Sequence, residues 1–201
     1  MEDKRVDGRT LRHQHRRPEL LAAAAEYVLD HGIAEVSLRD IASALNVTHA
    51  TLLRHFVSKD KLLREVFNLV RADFQQRLRD ESERSPEKPV AQFLRDTWEL
   101  VCGAREQRSF VLLFELVGRA AHDRDHVGDW AQTTVFDWLR LLEDHLHRAG
   151  WPPTRAQTAA TVLAAQFRGL QLDLMVTGDR ARVDRAMELV LQSLDIDAPF
   201  E

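Results

Sequence analysis

The sequence holds a single cysteine, Cys102, in 201 residues, so no disulfide can close within the chain. Glycines and prolines are few, eight and six. They fall between helix-like blocks, not at the short regular intervals of an all-β chain. No alternation of apolar and polar residues lasts long enough to make a strand. The longest apolar stretches stop far short of the roughly 20 residues that a membrane-spanning helix needs. The start of the chain, residues 1–17, is dominated by polar and charged groups, without the charged-then-apolar order of a secretory leader. A glycine-rich phosphate loop, a serine-centred elbow and a His-Glu-x-x-His signature are all missing. These absences point to a soluble, cytoplasmic, all-helical protein with no cofactor and no enzymatic machinery.

Apolar residues make up 44% and charged residues 30%, an ordinary globular mixture. The net charge of −4 does not advertise a nucleic-acid binder, but it is unevenly spread. Residues 1–63 carry ten Lys/Arg against nine Asp/Glu, and residues 64–201 carry eighteen against twenty-three. Arg5, Arg9, Arg12, Arg16 and Arg17 crowd the N-terminal end. Such a patch on an acidic body suits docking on phosphates, and equally suits a solvated tail.

The periodicity predicts a flexible arm over 1–15, then nine helices. The first runs from Pro18 to His31, with Leu21, Ala24, Ala25 and Val28 as its buried stripe and Gly32 as its stop. Ser37 caps the second, with Asp40 three residues on completing a capping box. Asn46 tolerates the turn that follows. Thr48 caps a short third helix ending near Phe56, and Ser58 opens a fourth that ends before Pro86 and Pro89. The remaining helices are expected over 90–103, 109–121, 129–149, 153–177 and 180–194, with a polar loop at 122–128.

The informative segment is 36–56, VSLRDIASALNVTHATLLRHF. Two short amphipathic helices joined by a tight turn at Leu45-Asn46-Val47 form a helix-turn-helix. Its second helix is short enough to enter a major groove about 12 Å wide. Leu38, Ile41, Leu45, Val47, Leu52 and Phe56 would brace it against the first helix. Thr48, His49, Ala50, Thr51 and Arg54 would face outward.

The run from Arg17 to Leu63 resembles the DNA-binding domain of the tetracycline-repressor (TetR) family. The resemblance rests on Leu21-Leu-Ala-Ala-Ala-Ala with Gly32 after it, and on Val36-Ser37-Leu38-Arg39-Asp40-Ile41-Ala42. It continues through Val47-Thr48, Thr51-Leu52 and His55-Phe56 to Ser58-Lys59-Asp60-Lys61-Leu62-Leu63. It implies an all-α architecture: a DNA-binding domain over 16–63 and a helical ligand-binding and dimerisation domain over 64–201. It implies that Ser37, Thr48, His55 and Lys59 meet phosphates and that His49, Ala50 and Thr51 meet base edges, with Arg39 beside them. Two positions depart from the family pattern. Asn46 stands where a turn glycine is usual. Leu53 stands where an aromatic is usual, and it cannot donate to phosphate, though it could touch a thymine methyl. Arg54 is placed to compensate through guanine or phosphate. The implied function is a ligand-responsive regulator, a repressor by the family's commoner habit, binding a palindromic operator in double-stranded DNA as a homodimer.

The helix over 153–177 is apolar on nearly all sides, with small residues that allow close approach. The last helix carries one apolar face. Two such helices from each of two chains would bury this surface in a four-helix bundle. The resemblance also implies a cavity for a small, largely apolar effector, lined from Phe93, Thr97, Trp98, Phe110, Leu113, Phe114, Phe136, Phe167, Arg168 and Gln171. Arg168 and Gln171 stand out, because polar groups in an apolar helix need partners.

Three rival chemistries are weaker. His122, Asp123, Asp125 and His126 cluster, and two histidines at i, i+4 can share a metal on a helix, but no third ligand is evident. Cys102 lies in an apolar helix without a neighbouring base, as a buried inert thiol would. A helical interaction module without DNA binding would draw on Leu53. It would lack the salt-dependent affinity of a phosphate binder.

Overall fold

The computed structural model describes residues 8–84, 88–120 and 124–194. Every regular element among them is a helix. In chain order these are α1 (Gly8–His31), α2 (Leu38–Ala44), α3 (His49–Phe56), α4 (Lys59–Arg84), α5 (Val90–Val101), α6 (Ala104–Ala120), α7 (Arg124–Arg148), α8 (Pro153–Thr177) and α9 (Arg180–Ser193). Packing divides the chain into two compact units, Met1–Asp73 and Phe74–Glu201. The division falls inside α4, ten residues beyond the boundary that the motif suggested.

Most helix ends follow the expected punctuation. Gly32, Gly150 and Gly178 all take positive φ at the ends of α1, α7 and α8, where a residue without Cβ stops a helix at little cost. Pro153 opens α8 in its first turn, where its missing N–H would go unpaired in any case. Three starts differ from expectation, and one of them, that of α6, falls at Ala104 instead of near Ser109. Helix α1 begins at Gly8, so Pro18 lies within it. The stretch ahead of Pro18 is rich in arginine, which favours helix, but has no apolar stripe for periodicity to detect. Helix α7 begins at Arg124, so residues 124–128 are helical where a loop was expected. His122 and Asp123 lie outside the described residues. Among the described residues, no three His, Cys, Asp or Glu side chains are grouped to hold a metal.

In the first unit, Leu20, Ala24, Ala25 and Val28 of α1 are buried with Ile33 and Val36, Ile41 and Ala42 of α2, Leu52 and Phe56 of α3, and Leu62, Leu63 and Val66 of α4. Leu20 thus holds the deep position expected of Leu21, which is half-buried. In the second unit, α8 packs mainly on α7, and also on α9 and α6. Its core is aromatic at the centre. Phe167 lies edge-on to both Trp98 and Trp138, with centroids 5.7 and 5.6 Å away, and Phe74 meets Phe110 edge-on at 5.9 Å. Such edge-to-face pairs stabilise beyond the area they bury. Helix α9 is tied to α5 by polar groups: Trp98 Nε1 donates to Asp184 at 2.6 Å, and Arg95 binds both oxygens of Glu188 at 2.7 and 3.0 Å. None of the described helices is long and apolar enough to cross a membrane.

Candidate nucleic-acid interface

The candidate interface is built on two caps and a turn. Ser37 is extended (φ −107°, ψ 161°) ahead of α2. Its hydroxyl accepts from the Asp40 N–H at 3.2 Å, and Asp40 Oδ2 accepts from the Ser37 N–H at 2.9 Å. The reciprocal pair satisfies two donors that a bare helix start would leave unpaired. The Ser37 hydroxyl also donates to Asp40 Oδ2 at 2.5 Å; that bond first, and then the one from the Ser37 N–H, holds the Asp40 carboxyl below the usual carboxylate range, with the Lys59 charge helping. After α2, Asn46 adopts φ +52°, a conformation its short polar side chain tolerates. Asn46 and Val47 then donate back to the carbonyls of Ser43 and Ala42 at 3.1 and 2.9 Å. These bonds close the turn without a glycine. Thr48 caps α3, accepting from the Thr51 N–H at 3.1 Å, and the two threonine hydroxyls are 2.9 Å apart.

Helix α3 buries Leu52, His55 and Phe56. That leaves His49, Ala50, Leu53 and Arg54 exposed at i, i+1, i+4 and i+5, with Thr51 half-buried beside them. This spacing puts the four on one face. Arg39 of α2 is also exposed, while Ser37 and Lys59 are half-buried.

His55 departs from its expected place. Only 9% of it is exposed, and its ring is tilted against Phe56. Burial favours the packed, structural histidine over a phosphate contact. Arg17 departs too. Instead of joining a free basic patch, its Nη2 donates to both carboxylate oxygens of Glu65, at 2.6 and 2.8 Å, and its Nε donates to the His55 carbonyl at 3.2 Å. Its guanidinium carbon lies 5.0 Å from the centre of the Phe56 ring. Nothing in the local sequence marks this arrangement, because Arg17 and Glu65 are 48 residues apart.

The end of α3 holds a residue that the sequence did not single out. Val57 has φ +66° and ψ −45°, and is 65% exposed. The Ser58 N–H donates across it to the Phe56 carbonyl at 2.7 Å. This is a γ-turn of the positive-φ kind, rare and strained, and the more so for a β-branched residue. Ser58 then opens α4, accepting from the Lys61 N–H at 3.2 Å.

The residues expected around an effector lie in the second unit. Phe93, Trp98, Phe110 and Phe167 are buried, and Leu113 and Phe114 pack partly buried against the same core. Phe136 does not join them. It is 54% exposed, being on the outer side of α7 from the buried Trp138 and Leu142. Thr97 and Gln171 are completely buried. Gln171 accepts from Gln107 and donates to Cys102 Sγ at 3.6 Å. Burial pushes the Cys102 thiol up to about 12, so it stays protonated and unreactive at neutral pH. Arg168, one turn before Gln171, is half-buried and its Nη2 has no hydrogen-bond partner. Burial alone lowers its pKa. The Thr97 hydroxyl likewise has no hydrogen-bond partner.

Residues 20–66 match the sequence model of the family described as bacterial regulatory proteins, tetR family. The matched segment runs from the middle of α1 into α4 and contains both caps, the turn and the exposed face of α3. Over residues 20–66 the chain carries a TetR-family DNA-binding segment. The chain is 26% identical, over 188 residues, to the HTH-type transcriptional regulator PksA of Bacillus subtilis (strain 168), covering 91% of this chain and 90% of that one. A TetR-family transcriptional regulator from Cytophaga hutchinsonii shares its fold, with a TM-score of 0.80 at 18% identity over 94% of this chain and 98% of that one. So does the multidrug binding protein EbrR, in complex with imidazole, with a TM-score of 0.66 at 24% identity over 93% of each chain.

Proposed function

We propose that this TetR-family regulator is a cytoplasmic, non-enzymatic repressor that binds an inverted-repeat operator as a homodimer and is released by a small, largely apolar effector. The observation that carries the reading is the face of α3. His49, Ala50, Leu53 and Arg54 form an exposed strip on a short helix whose other side is buried and whose start is capped. A recognition helix requires that combination: rigid support behind, chemistry in front. Arg54 offers a donor fork for guanine or phosphate, and Leu53, 36% exposed, offers apolar surface for a thymine methyl. Ser37, Thr48 and Lys59 would position the helix on phosphates. His55 acts from behind, as support.

A dimer is supported by α8. Val162, Ala165, Gly169, Leu172 and Val176 are exposed and repeat at intervals of three, four, three and four residues. That is the spacing of a helix seam that a second helix would cover. Leu189 adds exposed apolar surface on α9. Two-fold pairing would place the recognition helices for half-sites about one helical turn of DNA apart.

An effector in the second unit would be oriented by Arg168, Thr97 and Gln171 within the aromatic core, with Phe136 left outside. EbrR, a multidrug binding protein, has the same fold. Effector binding would act by shifting α4, and thereby the spacing of the two recognition helices, between two states of different DNA affinity.

The reading is tested by titrating fluorescent duplex with wild-type protein and Arg54→Ala across a salt series. Wild-type affinity should fall steeply with salt. The variant should bind more weakly while remaining folded and dimeric. Salt-independent binding in the wild type would favour an interaction module instead.

A further inference from the structure

We propose that Arg17 is the positioning residue of the recognition helix, and that its pairing with Glu65 sets the angle at which α3 meets DNA. The inference rests on reading this unit as DNA-binding. Arg17 is on α1, Glu65 on α4, and the His55 carbonyl in the last turn of α3. One guanidinium therefore joins three helices, using two nitrogens: Nη2 to the carboxylate at 2.6 and 2.8 Å, and Nε to the carbonyl at 3.2 Å. The carbonyl it caps is one of the four that a helix end leaves without an internal partner. The positive charge there also complements the negative end of the α3 dipole. The same group lies over Phe56, whose side chain is buried beneath it.

The far end of α3 is held by the burial of His55 and Phe56 and by this clamp. Its start is fixed by Thr48. Its end runs into the strained turn at Val57 and then directly into α4. A strained turn persists only where its surroundings over-determine it. The Arg17 clamp supplies that constraint from outside the turn. Its residues are separated by 38 and 48 positions in the chain, so it fixes α3 relative to α1 and α4 rather than α3 alone.

This role differs in sign from a simple charge effect. If only charge mattered, deleting the acidic Glu65 would tighten binding to a polyanion, and Arg17→Lys would change little. A positioning clamp requires the opposite. Glu65→Ala frees the guanidinium. Arg17→Lys keeps the charge but replaces the rigid planar fork with a compact point charge, which does not reproduce the geometry that spans carboxylate and carbonyl.

The test uses a duplex recovered by the full-length wild-type protein from a random-sequence pool. Glu65→Ala and Arg17→Lys should each bind it about tenfold more weakly, the scale of one charged hydrogen bond. The double variant should be no weaker than either single one, and the salt slope should be unchanged. Unaltered helical circular dichroism would show that the variants are folded. Hydrogen exchange on free protein gives a readout that needs no DNA. Amides of Leu53–Val57 should exchange faster in both variants, while those of α2 do not change. Tighter binding by Glu65→Ala, wild-type affinity in Arg17→Lys, or unaltered exchange at the end of α3 would each overturn the proposal. A wild type that recovers no duplex, with the exchange change present, would overturn the DNA-binding reading and leave the clamp standing.

Discussion

At the scale of single residues, the recognition helix shows where chemistry is readable and where it is not. Thr48 and Ser37 were legible as caps because small polar residues before apolar runs have few other uses. Both form the expected hydrogen bonds. His55 was legible only by analogy, and its burial was not, because one histidine in an apolar helix suits either the surface or the core. Arg17 was unreadable for a different reason: its partners are distant in sequence. Val57 carries no signal in the sequence, because positive φ in a β-branched residue runs against local preference. The strain is open to measurement. Val57→Gly should raise stability by about 1 kcal/mol, by removing the left-handed penalty of a side chain with Cβ. Chemical denaturation would show it as a higher midpoint, and a lower midpoint would mean that the valine side chain contributes more than its backbone costs. Leu53→Ala should instead change stability little and alter which sequences are bound, since Leu53 is exposed on the outer face of α3.

At the scale of elements, capping and punctuation carried most of the information. The ends of α2, α3, α8 and α9 fall where the sequence placed them, to within a residue or so. The starts of α1, α6 and α7 were missed by several residues. Polar helical turns carry no apolar stripe, so periodicity cannot register them. The value of a cap is testable directly. Thr48→Ala should cost about 1 kcal/mol of stability and should weaken DNA binding beyond that, because α3 would fray at the end proposed to enter the groove. Equal affinity in a destabilised variant would separate the cap from recognition. Helix α8 makes a second case. Its apolar residues on nearly all sides were visible in the sequence, but only packing shows which belong to the core and which remain outside. Leu172→Glu should place charges against each other across the proposed seam and yield monomers by light scattering. Persistent dimers would locate the interface elsewhere.

At the scale of the whole molecule, the first unit was far more legible than the second. A helix-turn-helix is defined by a dense local pattern of caps, turn and stripe over about 20 residues. An effector site is defined by what long-range packing leaves over, and helix periodicity does not distinguish a lining residue from a core residue. Phe136, exposed, and Phe167, wholly buried, looked equivalent in the sequence. The second unit also holds a titratable group with no sequence signature. His145 of α7 is buried, its ring stacked on Phe93 at 3.7 Å and hydrogen-bonded to the backbone of Lys88. Burial, and then the charge of Arg148, lowers its pKa from 6.5 to about 4. The unfolded chain therefore takes up a proton below pH 6.5 that the folded chain refuses until about pH 4. Stability should be full above that window, fall across it, and fall no further on this account below it. The loss should be on the order of 3 kcal/mol at most. His145→Phe, which keeps the stack, should flatten the pH dependence of denaturation between pH 7 and 4.5. An equally steep profile in the variant would assign the effect to other groups.

The central claim is that α3 reads DNA as one half of a two-fold pair. Selection from random duplex DNA with the purified full-length protein, at one moderate salt concentration, tests it most directly. The account requires an inverted repeat whose half-sites are centred about one helical turn apart. Enrichment of a single unrepeated site, or of no sequence at all by folded protein, would contradict it.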